Sequence, residues 1–142
     1  MTVRAVLESK GSNIVTVEPS ATVRTAVQLL SERRIGAVLV MAGKQIAGIL
    51  SERDVVRVLG ERGAAILDEK VEQVMTRKVV TCHPSDTIAA IMEKMTERKF
   101  RHLPVVEESK VVGLISIGDV VKWRVAEYES EQEALRDYIK TA

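Results

Sequence analysis

Two short stretches place a hydroxyl and a carboxylate three residues apart where a buried strand runs into a helix: Gly48-Ile49-Leu50-Ser51-Glu52-Arg53-Asp54 and Gly113-Leu114-Ile115-Ser116-Ile117-Gly118-Asp119. A carboxylate at a helix start can accept from two vicinal ribose hydroxyls at once, while a serine hydroxyl and open helix N–H groups can face a phosphate. The same residue types also satisfy a purely local demand. Ser-x-x-Asp is nearly a capping box, with serine as N-cap and the acid reaching back from the third helical position. The two roles can coexist, because capping fixes the side chains that a ligand would meet.

The second stretch repeats the first at an offset of 113 − 48 = 65, and Val55-Val56 continues as Val120-Val121. The same offset carries Val15-Thr16 onto Val80-Thr81, Pro19-Ser20 onto Pro84-Ser85, Thr22 onto Thr87 and Glu32-Arg33 onto Glu97-Arg98. Pairing Ile14–Val58 with Val79–Trp123 gives 13 identities over 45 pairs without a gap, so the chain holds two copies of one unit. A short segment precedes each copy: Thr2–Glu8, with Val3, Val6 and Leu7 at helical spacing, matches Lys70–Thr76 at an offset of 68. The three extra residues fall in the Lys10–Asn13 turn, where insertions are tolerated.

These residues need elements to position them. In the first copy, Ile14–Val17 reads as a short strand, and Thr22 as the N-cap of a helix with Val23, Ala26, Val27 and Leu30 on one face. The apolar run Ile35–Met41 reads as a strand buried on both faces, Gln45–Leu50 as its hairpin partner, and Ser51 opens a helix to about Leu59. Gly60–Leu67 is a linker with helical character. The second copy repeats the order: strand Val79–Cys82, helix Thr87–Lys99, strand His102–Val106, turn Glu107–Lys110, strand Val111–Ile115 and a helix from Ser116. That last helix has no Pro and its only Gly in the first turn, so one long helix or two abutting ones should run to about Lys140. Tyr128, Leu135, Tyr138 and Ile139 give it a sparse apolar stripe, fit either for solvent or for a second subunit.

Composition bounds the chemistry. The 142 residues are 46% hydrophobic with one Trp, one Phe and two Tyr, so the interior is aliphatic and β-branched. With 21 basic and 20 acidic residues the net charge is +1, leaving no global field to hold nucleic acid or an anionic membrane. No apolar run approaches the roughly 18 residues of a membrane span, and the expected location is the cytoplasm. Cys82 is the one cysteine and lies beside His83 without zinc-ligand spacing, so neither a disulfide framework nor a metal site is expected. On a short apolar strand, Cys82 reads as a small buried hydrophobe. Arg33, Arg34, Arg98 and Lys99 sit at two helix ends, where cations favour the C-terminal dipole. No Ser-His-Asp, Cys-His or paired-carboxylate constellation appears, and no enzyme is expected.

The duplicated β-α-β-β-α unit resembles the cystathionine-β-synthase (CBS) domain pair, or Bateman module, in its stand-alone bacterial form. The resemblance rests on Gly48/Ser51/Asp54 and Gly113/Ser116/Asp119, on the Pro-Ser-x-Thr helix starts, and on Phe100-Arg101-His102-Leu103-Pro104-Val105-Val106. It implies an α/β (α+β) fold in which two small sheets pack about a pseudo-two-fold axis, here with a C-terminal helical extension. Residues 1–66 would form repeat one with its short helix and linker, 67–124 repeat two, and 125–142 the extension. The resemblance also implies two clefts for an adenine nucleotide such as AMP, ATP or NAD. In the family each ligand takes its adenine wall from one repeat and its Ser-x-x-Asp from the other. One cleft would then combine Val15, Ile35, Gly36 and Ala37 with Ser116, Gly118 and Asp119, offering small groups and no fixed cation. The other would combine Val80, Phe100, Arg101 and His102 with Ser51, Arg53 and Asp54, placing two arginines and a histidine about a phosphate. His102 reads either as such a contact or as a packed strand-edge residue.

The expected function is a non-catalytic regulatory or energy-sensing module, a homodimer that reports an adenosine ligand to an unknown regulated protein. The alternatives are a structural dimerisation protein with vestigial clefts and, more remotely, a nucleotide-dependent enzyme.

Overall fold

In the computed structural model, which describes residues 1–141, the chain runs α1 (Val3–Lys10), β1 (Thr16–Val17), α2 (Val23–Arg33), β2 (Ala37–Ala42), β3 (Gln45–Ser51) and α3 (Glu52–Arg62). Two 3₁₀ turns follow at Ala64–Asp68 and Val71–Gln73, then α4 (Ile88–Arg98), β4 (His102–Glu107), β5 (Lys110–Ser116) and α5 (Ile117–Thr141). The 65-residue repeat holds to the residue: α2 maps onto α4, β2 onto β4 and β3 onto β5 with identical bounds. Even the bulge is duplicated, falling between Val40 and Met41 in one hairpin and between Val105 and Val106 in the other. Thr22 and Thr87 cap their helices by accepting from the amides of Thr25 and Ala90. Arg34 and Lys99 close the same helices in the left-handed region, at φ 52° and 59°.

One sequence expectation fails for a covalent reason. β1 runs parallel to β2, with the Leu39 amide donating to the Val15 carbonyl at 3.1 Å. The equivalent of Leu39 in the second copy is Pro104, which has no N–H to donate. The strand expected at Val79–Cys82 is therefore reduced to a single bridge between Cys82 and Val105. The short helix expected at Lys70–Thr76 is likewise only the 3₁₀ turn Val71–Gln73. Thr76 exchanges both backbone hydrogen bonds with Ile49, at 2.9 and 3.0 Å, and that pairing needs extended backbone. α3 runs on through Gly60 to Arg62 and stops at Gly63, whose φ of 82° suits glycine.

The chain divides into two compact units, Asn13–Val79 and Met1–Ser12 together with the residues from Val80 onward. Repeat and unit thus do not coincide. α1 packs in the unit of the second repeat, where the Val3 amide donates to the Asp86 carbonyl, that of Arg4 to Pro84, and that of Ile88 to Met1. Residues 69–72 make the equivalent bonds in the other unit: Val71 to Ala21, Glu72 to Pro19, and Val23 to Glu69. Each Pro-Ser-x-Thr helix start is held by the segment that precedes the other repeat.

Each unit has its own aliphatic core. Val23, Ala26, Val38, Val40, Leu50, Val55, Ile66 and Val71 pack together in one. Val3, Val6, Ile88, Ile91, Leu103, Val105, Ile115 and Val120 pack in the other, with Cys82 among them as the small hydrophobe expected. Among the described residues no helix is long and apolar enough to cross a membrane.

Candidate functional site

Both Ser-x-x-Asp stretches fold into complete capping boxes at strand-to-helix junctions. In the Asn13–Val79 unit, β3 ends and α3 begins at Ser51, whose backbone is still extended (φ −100°, ψ 160°). The Ser51 hydroxyl accepts from the Asp54 amide at 3.2 Å and donates to Asp54 Oδ2 at 3.0 Å, while the Ser51 amide donates to the same oxygen at 3.1 Å. The other unit repeats this at Ser116 and Asp119, with distances of 3.1, 3.0 and 2.9 Å. The capping reading is therefore realised in both copies, and each carboxylate is fixed at the first turn of a helix, where the dipole favours its charge.

What else meets each carboxylate differs. Asp54 is buried at 7% exposure, with Arg57 at 3.2 Å from Oδ1 and the Thr76 hydroxyl donating at 3.4–3.5 Å. Asp119 instead receives the ammonium of Lys10, from the end of α1, at 2.6 Å on Oδ2, and Lys10 also donates to the Leu114 carbonyl at 3.0 Å. Burial works against ionisation of Asp119, but the hydrogen bonds from Lys10 and from the Ser116 amide prevail and hold its carboxyl below the usual range. The expectation of no fixed cation at Ser116, Gly118 and Asp119 is thus corrected, since Lys10 is that cation. At the 68-residue offset, Glu8 corresponds to Thr76 and Lys10 to Lys78. Each acid thus has one partner from a preceding segment, Thr76 for Asp54 and Lys10 for Asp119, but these do not occupy equivalent positions.

The other candidate residues fall into place within their own units. Gly36 accepts from the Glu52 amide at 2.9 Å and Ala37 pairs with Ser51, so both lie beside the first box. At the equivalent positions Arg101 accepts from the Ile117 amide at 2.8 Å and His102 pairs with Ser116. Val15, Ile35, Val80 and Phe100 are half-buried, Ala37 is buried, and Arg53, Arg101 and Gly118 are exposed. Gly118 leaves the start of α5 open, because an added Cβ would meet only the Ser116 hydroxyl, at 3.6 Å; the first copy carries Arg53 there.

The motif glycines have a packing role. A Cβ on Gly48 would lie 2.7 Å from the Thr76 carbonyl and 2.6 Å from Met75 Sδ, and one on Gly113 would lie 2.6 Å from the end of Leu7. Glycine lets the segment that carries the carboxylate's further partner approach the strand. Sequence reasoning missed Lys10, Arg57 and Thr76. Arg57, one turn after Asp54, was open to helix-spacing arguments, whereas Lys10 and Thr76 could be found only by asking which repeat each preceding segment serves.

Comparison with known proteins gives a consistent result. The family model described as "CBS domain" matches residues 3–61 and 71–126. The mitochondrial CBS domain-containing protein CBSX3 of Arabidopsis thaliana is 34% identical, over 98% of this chain and 72% of its own length. The crystal structure of the CBS-domain containing protein ATU1752 from Agrobacterium tumefaciens superposes with a TM-score of 0.84 at 42% identity, covering 87% of this chain and 99% of that one. The CBS domain protein PAE2072 from Pyrobaculum aerophilum, solved in complex with AMP, has a TM-score of 0.74 at 25% identity, covering 84% and 89%.

Proposed function

The chain belongs to the CBS domain family, and from that premise we propose that it is a non-catalytic regulatory module that binds an adenosine-containing ligand such as AMP, ATP or NAD. The reading is carried by the duplicated carboxylate, fixed by the same capping box at two helix starts with a serine hydroxyl and helix amides beside it. The AMP complex of the related protein from Pyrobaculum aerophilum supports the ligand class. Each box would present its acid to ribose and its helix start to phosphate. Lys10 at Asp119 and exposed Arg53 beside Asp54 are the proposed phosphate cations. Binding then acts by population shift, favouring whichever conformation binds the ligand more tightly and passing that difference to a partner protein.

A second reading has an observation in its favour. Asp54 is buried with both oxygens engaged, as it would be if that box were structural only and the protein a dimerisation scaffold. Thermal unfolding with adenosine, AMP, ATP and NAD separates the two. A ligand at 100 times its dissociation constant should stabilise the native state by about 2.7 kcal/mol, and no shift with any of the four leaves the scaffold reading. Within the binding reading, Lys10→Met should weaken AMP more than adenosine, and Arg53→Ala should weaken ATP more than AMP. Equal losses for each pair would remove these cations from phosphate recognition.

A further inference from the structure

Three donors crowd one oxygen of Asp119. The Ser116 amide, the Ser116 hydroxyl and the Lys10 ammonium reach Oδ2 at 2.9, 3.0 and 2.6 Å, whereas an ionised carboxylate oxygen offers about two lone pairs. The two serine donors are fixed by the capping box. Lys10 hangs on a flexible aliphatic stem with its side chain 35% exposed, so it is the donor that can leave. Its ammonium does alone what two groups of Thr76 do in the other unit. There the Thr76 amide donates to the Ile49 carbonyl and the Thr76 hydroxyl to Asp54. Here Lys10 donates to Asp119 and to the carbonyl of Leu114, the counterpart of Ile49 at the 65-residue offset. Thr76 is held by its own backbone, and the side chain of Asp54 is 10% exposed against 22% for Asp119. Only the Asp119 box thus combines an exchangeable partner with an accessible acid.

We infer, resting on the adenosine-ligand reading above, that Lys10 determines which ligands the Asp119 box admits: it bars those without a phosphate and admits nucleotides, whose phosphate receives the ammonium that the ribose displaces. A ribose diol that grips the carboxylate across both oxygens must take a place on Oδ2, and so must expel Lys10. An uncharged nucleoside then breaks an ammonium–carboxylate pair and leaves the ammonium without a counter-charge. A nucleotide supplies that counter-charge itself, as Lys10 turns from Asp119 to the phosphate at the start of α5. Gly118 leaves that approach open, since an added Cβ there would meet only the Ser116 hydroxyl.

Titration calorimetry of the full chain with adenosine and AMP reads the exchange, with circular dichroism to follow the fold. Lys10→Met keeps an aliphatic stem and removes the charge. It should tighten adenosine by about tenfold and should not tighten AMP, so the preference for AMP collapses. In an Asp119→Asn background, adding Lys10→Met should no longer tighten adenosine. On the unsubstituted chain, rising salt should tighten adenosine, because it screens the partly exposed pair. Equal gains for the two ligands, or adenosine affinity that Lys10→Met lowers or leaves unchanged, overturn the assignment while AMP binding keeps the adenosine-ligand reading intact. A gain that persists with Asp119→Asn, or adenosine affinity indifferent to salt, overturns it as well. Binding of neither ligand to either protein overturns the assignment and that reading together.

Discussion

Asp119 is ionised against the pull of its own burial, and Lys10 is the main reason. Because the folded-state carboxyl titrates below its unfolded value of about 3.9, its stabilising contribution is complete above that value. It is lost as pH falls through the lower, folded value. Lys10→Met leaves burial opposed by Ser116 alone, so the carboxyl should titrate higher and the acid loss of stability should begin at higher pH. At neutral pH the cost should stay below about 1 kcal/mol, since the pair is partly exposed. Melting temperatures of both proteins across the acid range check this, and superimposed acid limbs would show that Lys10 does not act on Asp119. Cys82 lies at the other extreme. Burial pushes its thiol up to about 12, so it stays protonated and inert at neutral pH, as its place in the core requires.

At the scale of elements, the two hairpins share register and bulge, but their glycines face different neighbours. A Cβ at Gly48 meets a backbone carbonyl held by paired hydrogen bonds to Ile49, which cannot move without breaking the Ile49–Thr76 bridge. The atoms nearest a Cβ at Gly113 are the methyls and Cγ of Leu7, a side chain that can change rotamer. Gly48→Ala should therefore cost about 1–3 kcal/mol as an overpacked site, and Gly113→Ala distinctly less. Urea unfolding of the two variants decides the order, and an equal or greater loss for Gly113→Ala would contradict it. The reduction of the strand at Val79–Cys82 to one bridge belongs to the same scale, since a single imino acid at position 104 removes the donor that its counterpart Leu39 supplies.

For the whole molecule, the consequence is that α1 belongs to the unit it does not adjoin in sequence. Val3 and Val6 are fully buried and Leu7 nearly so, all in the core of the second repeat. Each buried aliphatic side chain contributes about 1.5–3 kcal/mol, and a domain's whole stability is about 5–15 kcal/mol. Deleting residues 1–12 should therefore unfold, or bring close to unfolding, the unit that holds Trp123, while the core within Asn13–Val79 stays complete. Trp123 is the lone tryptophan and packs against the affected core, so its fluorescence reads that unit alone. A urea midpoint equal to that of the intact chain would refute the assignment. A cut between residues 66 and 67 should be worse, separating α1 from β4 and β5 and residues 67–79 from the unit they complete.

The sequence by itself determined the duplication, the order of helices and strands apart from the strand at Val79–Cys82 and the short helix at Lys70–Thr76, the N-cap Thr22, and both capping boxes. These are local properties, set by apolar periodicity and by side chains reaching three residues along the chain. It also limited the tail to one long helix or two abutting ones, because it holds no Pro and its only Gly lies in the first turn, and the structure made it one, Ile117–Thr141. Only the tertiary structure decided which preceding segment serves which repeat, and so that Thr76 meets Asp54 and Lys10 meets Asp119. The apolar face of α1, Val3, Val6 and Leu7, carries no address in its periodicity. The choice is made by fit at two glycines and by backbone hydrogen bonds such as Val3 to Asp86, 83 residues away (86 − 3), a distance over which no pattern in the sequence reaches.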